Sequence, residues 1–447
     1  KQDSIPGIYS TTGPLAAADY DHNGNVDLFV GGRFIPTQYP ENARSRLFKN
    51  KNGHFYLDKK NSNELKSIGL VTGAVFTDYN GDGWPDLLIS TAWGSLKLFK
   101  NDHGHFVNVT KKVGLAKYKG WWNGVATGDF NNDGRPDIVA TNWGQNSSYQ
   151  PEAGHPLKMY YADFNNDRRM DMIESYYDPK MKAYVPRRQL NAYSSVSKSF
   201  FGDITSNKKF AHASIKKLLG PYFKQTHTKE INTMQSMVFI NKGGDHFVAH
   251  PLPRAAQLSV AFDASVGDYN NDGNEDIFLS QNFFDMPSHI PRQDAGRGLW
   301  LEGDGHGHFT AVPGQKSGVK VYGEQRGAAL GDFNRDGRVD LVVSQNGKRT
   351  KLYQNQTPRR GYRIRLVGRS GNRDAIGASM RLVYKNGTKG PRREIQAGSG
   401  YWSQNSPVQV MGYPAARKPV AILIRWPGGN KQKVPIKSDK WNYTIPQ

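Results

Sequence analysis

No cysteine occurs among the 447 residues, which excludes a disulfide framework and any thiolate-held metal or redox centre. No apolar run reaches the length that crosses a bilayer as a helix, so a soluble chain is expected. The start at Lys1 in place of methionine reads as a processed or truncated end, consistent with the loss of an upstream signal or lipid anchor. Acidic side chains are outnumbered, 39 against 60 Lys plus Arg, and the resulting net charge of +21 points to a polyanionic partner or an anionic surface. Long Ala, Leu and Glu runs are missing, as are a nucleophile motif and an HExxH zinc signature. What abounds is glycine (48), tyrosine (22) and phenylalanine (21), a composition for many short strands joined by tight turns.

The length exceeds what one hydrophobic core usually organises, and internal repetition supplies the answer. Asp19-Tyr20-Asp21-His22-Asn23-Gly24-Asn25-Val26-Asp27 recurs as DYNGDGWPD from Asp78, DFNNDGRPD from Asp129, DFNNDRRMD from Asp163, DYNNDGNED from Asp268 and DFNRDGRVD from Asp332. After most copies comes a buried-strand run such as DLLIST or DIVAT. Then follows a hairpin with a glycine-bearing turn, as in LFKNKNGHF and VFINKGGDHF. Motif starts lie 59, 51, 34, 105 and 64 residues apart, about a four-stranded unit each except for one short and one long gap. Within the long gap, Ala211, Ile215, Leu218 and Leu219 are spaced as on a helix before Gly220-Pro221, which predicts a partly helical insertion over about 190–232 covering part of one face. The expected fold is all-β: a β-propeller over 1–357, then a small β-sandwich over 358–447 built from runs such as YRIRLVG and VAILIRWPGG.

In each nine-residue loop, side-chain oxygens at positions one, three, five and nine and the carbonyl at seven can surround one hard cation, while glycine at six allows the sharp turn. Calcium takes six to eight such oxygens. The candidate sets are Asp19, Asp21, Asn23, Asn25 and Asp27; Asp78, Asn80, Asp82, Trp84 and Asp86; and Asp129, Asn131, Asp133, Arg135 and Asp137. Three more are Asp163, Asn165, Asp167, Arg169 and Asp171; Asp268, Asn270, Asp272, Asn274 and Asp276; and Asp332, Asn334, Asp336, Arg338 and Asp340. The fourth set departs from the rest, since Arg168 replaces the turn glycine. Asx-type turns without metal are the alternative. Three carboxylates per loop repel one another without a cation, so several structural Ca2+ ions are expected. The six loops absorb 19 of the 39 acids, 18 aspartates and Glu275, leaving the rest of the surface strongly basic.

On these loops the chain resembles the FG-GAP or VCBS repeats of integrin-type propellers. On Gly371-Asn372-Arg373-Asp374-Ala375-Ile376-Gly377-Ala378, Gly398-Ser399-Gly400-Tyr401-Trp402-Ser403-Gln404 and Ile424-Arg425-Trp426-Pro427-Gly428-Gly429 it resembles the ASPIC/UnbV domain. The pair resembles the cartilage acidic protein-like family, which implies seven blades, calcium in several of them, export and no established enzymatic activity. This chain departs from that family in being basic and in lacking a cysteine-rich module, so partners are not carried over.

Strands leaving the loops reach the opposite propeller face within six or seven residues. Arg33, Trp93, Trp143, Asn282 and Asn346 sit at that offset, and Trp121 and Trp122 precede the third motif. There they would stack on sugar rings and bind hydroxyls, or else pack between blades. Arg187-Arg188, Arg359-Arg360 and Arg392-Arg393 are candidate readers of an acidic glycan, lipopolysaccharide or nucleic acid, or simply solvated pairs. No DNA or RNA module is recognisable. The reading is a non-enzymatic secreted or cell-surface module, at a bacterial outer surface or in a periplasm, that binds a glycan or a surface protein within an assembly. The alternatives are a polysaccharide lyase with a Tyr, His or Arg cluster in a groove, or a purely structural subunit.

Overall fold

The computed structural model describes residues 5, 7–193, 204, 206–287 and 290–447. Five sheets follow one plan, in which a first strand runs into the aspartate loop and the loop's ninth residue opens the second strand. They begin Thr12–Ala18/Asp27–Gly32, Leu70–Thr77/Asp86–Ser95, Val125–Gly128/Asp137–Ala140, Ala261–Gly267/Asp276–Gln281 and Glu324–Gly331/Asp340–Asn346. Four of these blades have four antiparallel strands on the main path of the sheet, and the fifth has three, ending with Lys348–Tyr353.

The apolar runs are continuous because both faces of each blade are covered. Leu70–Thr77 is buried at every position, and Leu87, Leu88 and Ile89 have no exposed surface. Successive side chains point to opposite faces, so Leu87 packs with Phe29 and Leu47 of the first blade while Leu88 packs with Ile138 and Phe239 of the third. The same alternation joins the third blade to the fourth through Val139, Val238 and Ile277, and the fourth to the fifth through Phe278, Trp300, Leu341 and Val343. Each fully buried aliphatic or aromatic side chain contributes about 2 kcal/mol.

Two expectations are corrected here. Among the described residues the propeller region holds six sheets, not the seven blades implied by the resemblance. The sixth, which carries the Asp163 loop, is not a serial blade: it is inserted into the third blade, whose second strand Asp137–Ala140 pairs with Met237–Asn241. Its strands Ala183–Pro186, Asp171–Asp178, Leu157–Ala162 and His227–Ile231 form a separate sheet, in that order. This nesting produces both the short and the long motif spacing. The helical expectation over 190–232 falls partly on residues outside the described set; within it Asn207–Ala211 and Ile215–Leu219 are helical, each capped by a serine (Ser206, Ser214).

The C-terminal domain is a sandwich. Tyr362–Val367 lies between Gln409–Met411 and, in parallel, Asn442–Pro446, facing a sheet of Ser379–Tyr384, Pro419–Arg425, Lys431–Pro435 and Arg393–Glu394. Ile364, Leu366, Met380, Leu382, Ile422, Ile424 and Trp426 fill the space between.

Candidate functional site

The six loops share one hydrogen-bond scheme. The backbone N–H at position two donates to one oxygen of the ninth-position aspartate, from Tyr20 to Asp27 (3.1 Å), Tyr79 to Asp86 (3.2 Å), Phe130 to Asp137 (2.9 Å), Phe164 to Asp171 (3.1 Å), Tyr269 to Asp276 (3.0 Å) and Phe333 to Asp340 (3.1 Å). The N–H at position seven donates to the side chain at five: Asn25 to Asn23, Trp84 to Asp82, Arg135 to Asp133, Arg169 to Asp167, Asn274 to Asp272 and Arg338 to Asp336. Asn80, Asn131, Asn165, Asn270 and Asn334 each donate Nδ2 to the fifth-position aspartate.

The loops were legible; the residues that tie them together were not. In four blades an asparagine within two residues of the third strand's end donates its N–H to the other oxygen of the ninth aspartate, Asn50 to Asp27, Asn101 to Asp86 and Asn241 to Asp137 at 2.7 Å and Asn355 to Asp340 at 2.8 Å. The Nδ2 groups of Asn101, Asn241 and Asn355 then reach the carbonyls of Tyr20, Tyr79 and Tyr269 in the preceding blade. The signal was present in KNKNG, KNDHG and INKGG, where the asparagine recurs beside the glycine turn.

Burial makes these carboxylates costly to ionise. It raises the Asp27 and Asp137 carboxyls to about 8, Asp129 and Asp268 to about 7 and Asp19 to about 6, and pushes Asp86 and Asp276 well above the ordinary range. A bound divalent cation would remove that cost. Asp19, Asp21 and Asp27 bring one oxygen each within 4.8 Å of one another, and Asp78 Oδ1 and Asp129 Oδ1 are buried without a hydrogen-bond partner, so the donor set fits a hard cation.

The loop face is covered by the C-terminal domain, largely through arginines. Arg392 and Arg425 approach Asp78 at 3.1 and 2.9 Å, and Arg392 also holds Glu394 at 2.8 Å. The Arg392 N–H donates to Asp129 (2.7 Å), and Arg381 donates to the Asn132 carbonyl (3.3 Å). Arg393, itself buried, pairs with buried Glu275 at 2.7 Å, and Arg363 approaches Asp332 at 3.2 Å. At the first loop Val26 N–H donates to the Gly371 carbonyl (3.3 Å). Buried Arg393 and largely covered Arg392 are therefore committed to ion pairs that cross between the domains and are not free to read a glycan. Of the other basic pairs, Arg187 lies over Tyr149 (3.9 Å), Arg188 pairs with Glu174 (3.2 Å) and Arg360 lies over Trp441 (4.4 Å).

Between these arginines a hairpin from Gln396 to Ser406 enters the propeller axis and touches the first strand of all five blades. Ala397 bridges Ala17, Gly400 bridges Val125, the Tyr401 N–H and the Ser403 hydroxyl donate to Asp263 (both 2.7 Å), Trp402 Nε1 donates to Thr72 O (3.2 Å), and the Leu330 N–H donates to Asn405 (2.9 Å). Gly400 stands at φ +61°, where a Cβ would lie 2.0 Å from Asp263 Oδ1, so only glycine fits.

At the opposite face Trp93, Trp122, Trp143 and Asn282 are buried, and Trp121 stacks on Trp143 at 4.3 Å. These tryptophans pack the interior; they do not line an open mouth. Asn282 is spent on Gly296 and Gly323 carbonyls, and exposed Asn346 donates to Glu324 (3.3 Å). Arg33 is half-buried beside Trp402, a residue the sequence did not single out for this face.

Residues 78–140 match the FG-GAP-like repeat, and residues 368–445 match the ASPIC and UnbV domain. The chain is similar to Cartilage acidic protein 1 of Xenopus tropicalis, 23% identical over 307 residues that make up 64% of this chain and 42% of that protein, so it spans less than half of the relative's length. Among solved structures it is similar to the V. cholerae biofilm matrix protein Bap1 (13% identity, TM-score 0.29, 97% of this chain and 74% of that one). It is also similar to BBS1N, solved in complex with ARL6DN (10% identity, TM-score 0.28, 98% and 96%). At such TM-scores neither similarity bears on fold or function.

Proposed function

We propose that this FG-GAP-like propeller with its ASPIC/UnbV domain is a non-enzymatic extracellular or cell-surface binding module, stabilised by calcium and presenting a basic surface to a glycan or a surface protein. The observation that carries this reading is the use of the loop face. Its carboxylates hold neighbouring strands and the C-terminal arginines, and the axis is filled by residues 396–406, so the acidic chemistry of the chain is committed to scaffolding. Calcium at the loops would supply charge neutralisation for the buried aspartates, with Asp19, Asp21 and Asp27 the best-gathered set. No helix among the described residues is long and apolar enough to cross a membrane. The two matched domains fit an extracellular or surface protein, and the bacterial outer surface or periplasm remains part of the proposal.

One cluster favours a second reading, a polysaccharide lyase. Buried Glu174 accepts from the Tyr149 hydroxyl (3.1 Å to both oxygens) and pairs with Arg188, while Arg187 lies over Tyr149. Burial and the Glu174 charge push the Tyr149 phenol up, the wrong direction for a tyrosine base, which is why binding ranks above cleavage.

The test is a glycan-array and pull-down comparison on one preparation, with calcium and after chelation, with ultraviolet absorbance followed for unsaturated uronate. Glycan capture without product supports the binding module. Product formation would replace it with the lyase, and recovery of surface proteins alone would recast the chain as an assembly subunit.

A further inference from the structure

The hairpin that fills the axis ends in an aromatic tip at the face opposite the loops. Of nine tryptophans Trp402 alone is exposed, at 51%, and it is held rigidly. Its ring stacks on Tyr401 (5.1 Å between centroids, 4° between planes), its Nε1–H is already given to Thr72 O, and Tyr401 rests edge-on against Phe262 (5.2 Å). The Trp402 backbone sits at φ +55°, a region a bulky residue enters only when its surroundings impose it, and such strain collects at functional positions.

Cations flank the pair. The Arg33 guanidinium lies 5.7 Å from the Trp402 ring centre, and among the described residues no carboxylate pairs with it. Arg326 lies 4.1 Å over Phe262 on the Tyr401 side but is already paired with Glu324. A preorganised aromatic with no donor left, next to an unpaired guanidinium, offers a ring one apolar surface and an acid one charge partner. One exposed platform beside one cation left unpaired among the described residues suits a compact ligand better than a nucleic-acid strand, which needs successive platforms along a basic groove.

We propose that Trp402 and Arg33 form a binding site for an acidic saccharide, the sugar ring against the exposed indole and its carboxylate or sulfate on Arg33. This rests on the binding-module reading given above, and it names the site and the ligand class. Trp402 supplies contact area, Arg33 supplies selection for charge, and Asp263 and Gly400 are positioning residues that hold the tip.

The test is isothermal titration of the full chain, in calcium at physiological salt, with alginate and oligogalacturonate oligomers, a neutral galacto-oligosaccharide and an oligothymidylate. Trp402→Ala and Arg33→Gln are each expected to weaken the acidic oligomers about tenfold or more, Arg33→Lys less than Arg33→Gln, with Tm unchanged in the Arg33 variants. Arg33→Gln keeps the test valid should Trp402→Ala disturb the hairpin. If the wild type binds no saccharide, the glycan reading itself falls. If it binds acidic oligomers and both variants bind as well, only this site falls. Neutral and acidic sugars weakened equally by Trp402→Ala, with Arg33→Gln silent, would overturn the acidic class, and preference for the oligothymidylate would overturn the saccharide.

Discussion

Asp263 carries the axis hairpin on two oxygens. It has no exposed surface and no cationic partner among the described residues, and it accepts from the Tyr401 N–H and from the Ser403 and Ser265 hydroxyls at 2.6–2.7 Å. Burial raises its carboxyl to about 6 against these hydrogen bonds, which pull the other way. A carboxyl raised in the fold is penalised when ionised, so its cost is full above pH 6 and disappears as the pH falls toward 4. The span amounts to about 3 kcal/mol. Asp263→Asn removes this dependence, so the Tm difference between wild type and variant should move in favour of the wild type as pH drops from 7.5 to 5; a constant difference would refute the assignment. Asp263→Ala leaves three donors stranded and should cost about 3–5 kcal/mol in urea unfolding.

The nine-residue loop is the element on which the fold repeats, and the proposed calcium would change how it responds to pH. The raised carboxyls of Asp19, Asp27, Asp129, Asp137 and Asp268 mean that chelated protein should gain stability as pH falls from 8 toward 5, because protonation relieves buried charge. Calcium binds the ionised form, so loaded protein should melt higher and lose stability over the same fall in pH. Melting curves with calcium and with chelator from pH 8 to 5 test this, and parallel profiles would count against cation binding. At this scale the sequence was informative. Asp, Asn and Gly at fixed offsets, followed by apolar runs, disclosed the loops, strands and hairpins because those depend on neighbours within a few residues. It misplaced the Asp163 loop, since a local motif reads the same in a serial blade and in an inserted sheet. It left Trp93 and Trp143 open between a ligand face and interior packing because offset along a strand does not reveal what later segments cover. Arg392 meets Asp78 across 314 residues, and nothing near either one announces the other.

For the whole molecule, the propeller and sandwich are expected to behave as one unit held by arginine–carboxylate contacts of low exposure. Removing one partner of such a pair strands the other, so replacement should cost more than loss of an exposed ion pair, about 3–5 kcal/mol for a fully buried one. Arg392→Ala combined with Arg425→Ala should make the connecting stretch 354–361 newly sensitive to limited proteolysis and enlarge the particle in small-angle scattering. The control Arg187→Ala, on the inserted sheet's side, should do neither. Unaltered cleavage and radius in the double variant would show that the hairpin alone suffices to hold the domains together.

The hairpin also sets a schedule. It lies beyond residue 395 of 447 yet touches the first strand of every blade, so a chain emerging from its N-terminus acquires all six aspartate motifs long before it acquires its axle. Blades made early must wait with their inner edges unclosed, and contacts this distant in sequence are slow to form. A nascent chain of this kind depends on its last fifth to finish its first, and truncation near residue 357 would leave every recognisable repeat in place while removing the piece around which they close.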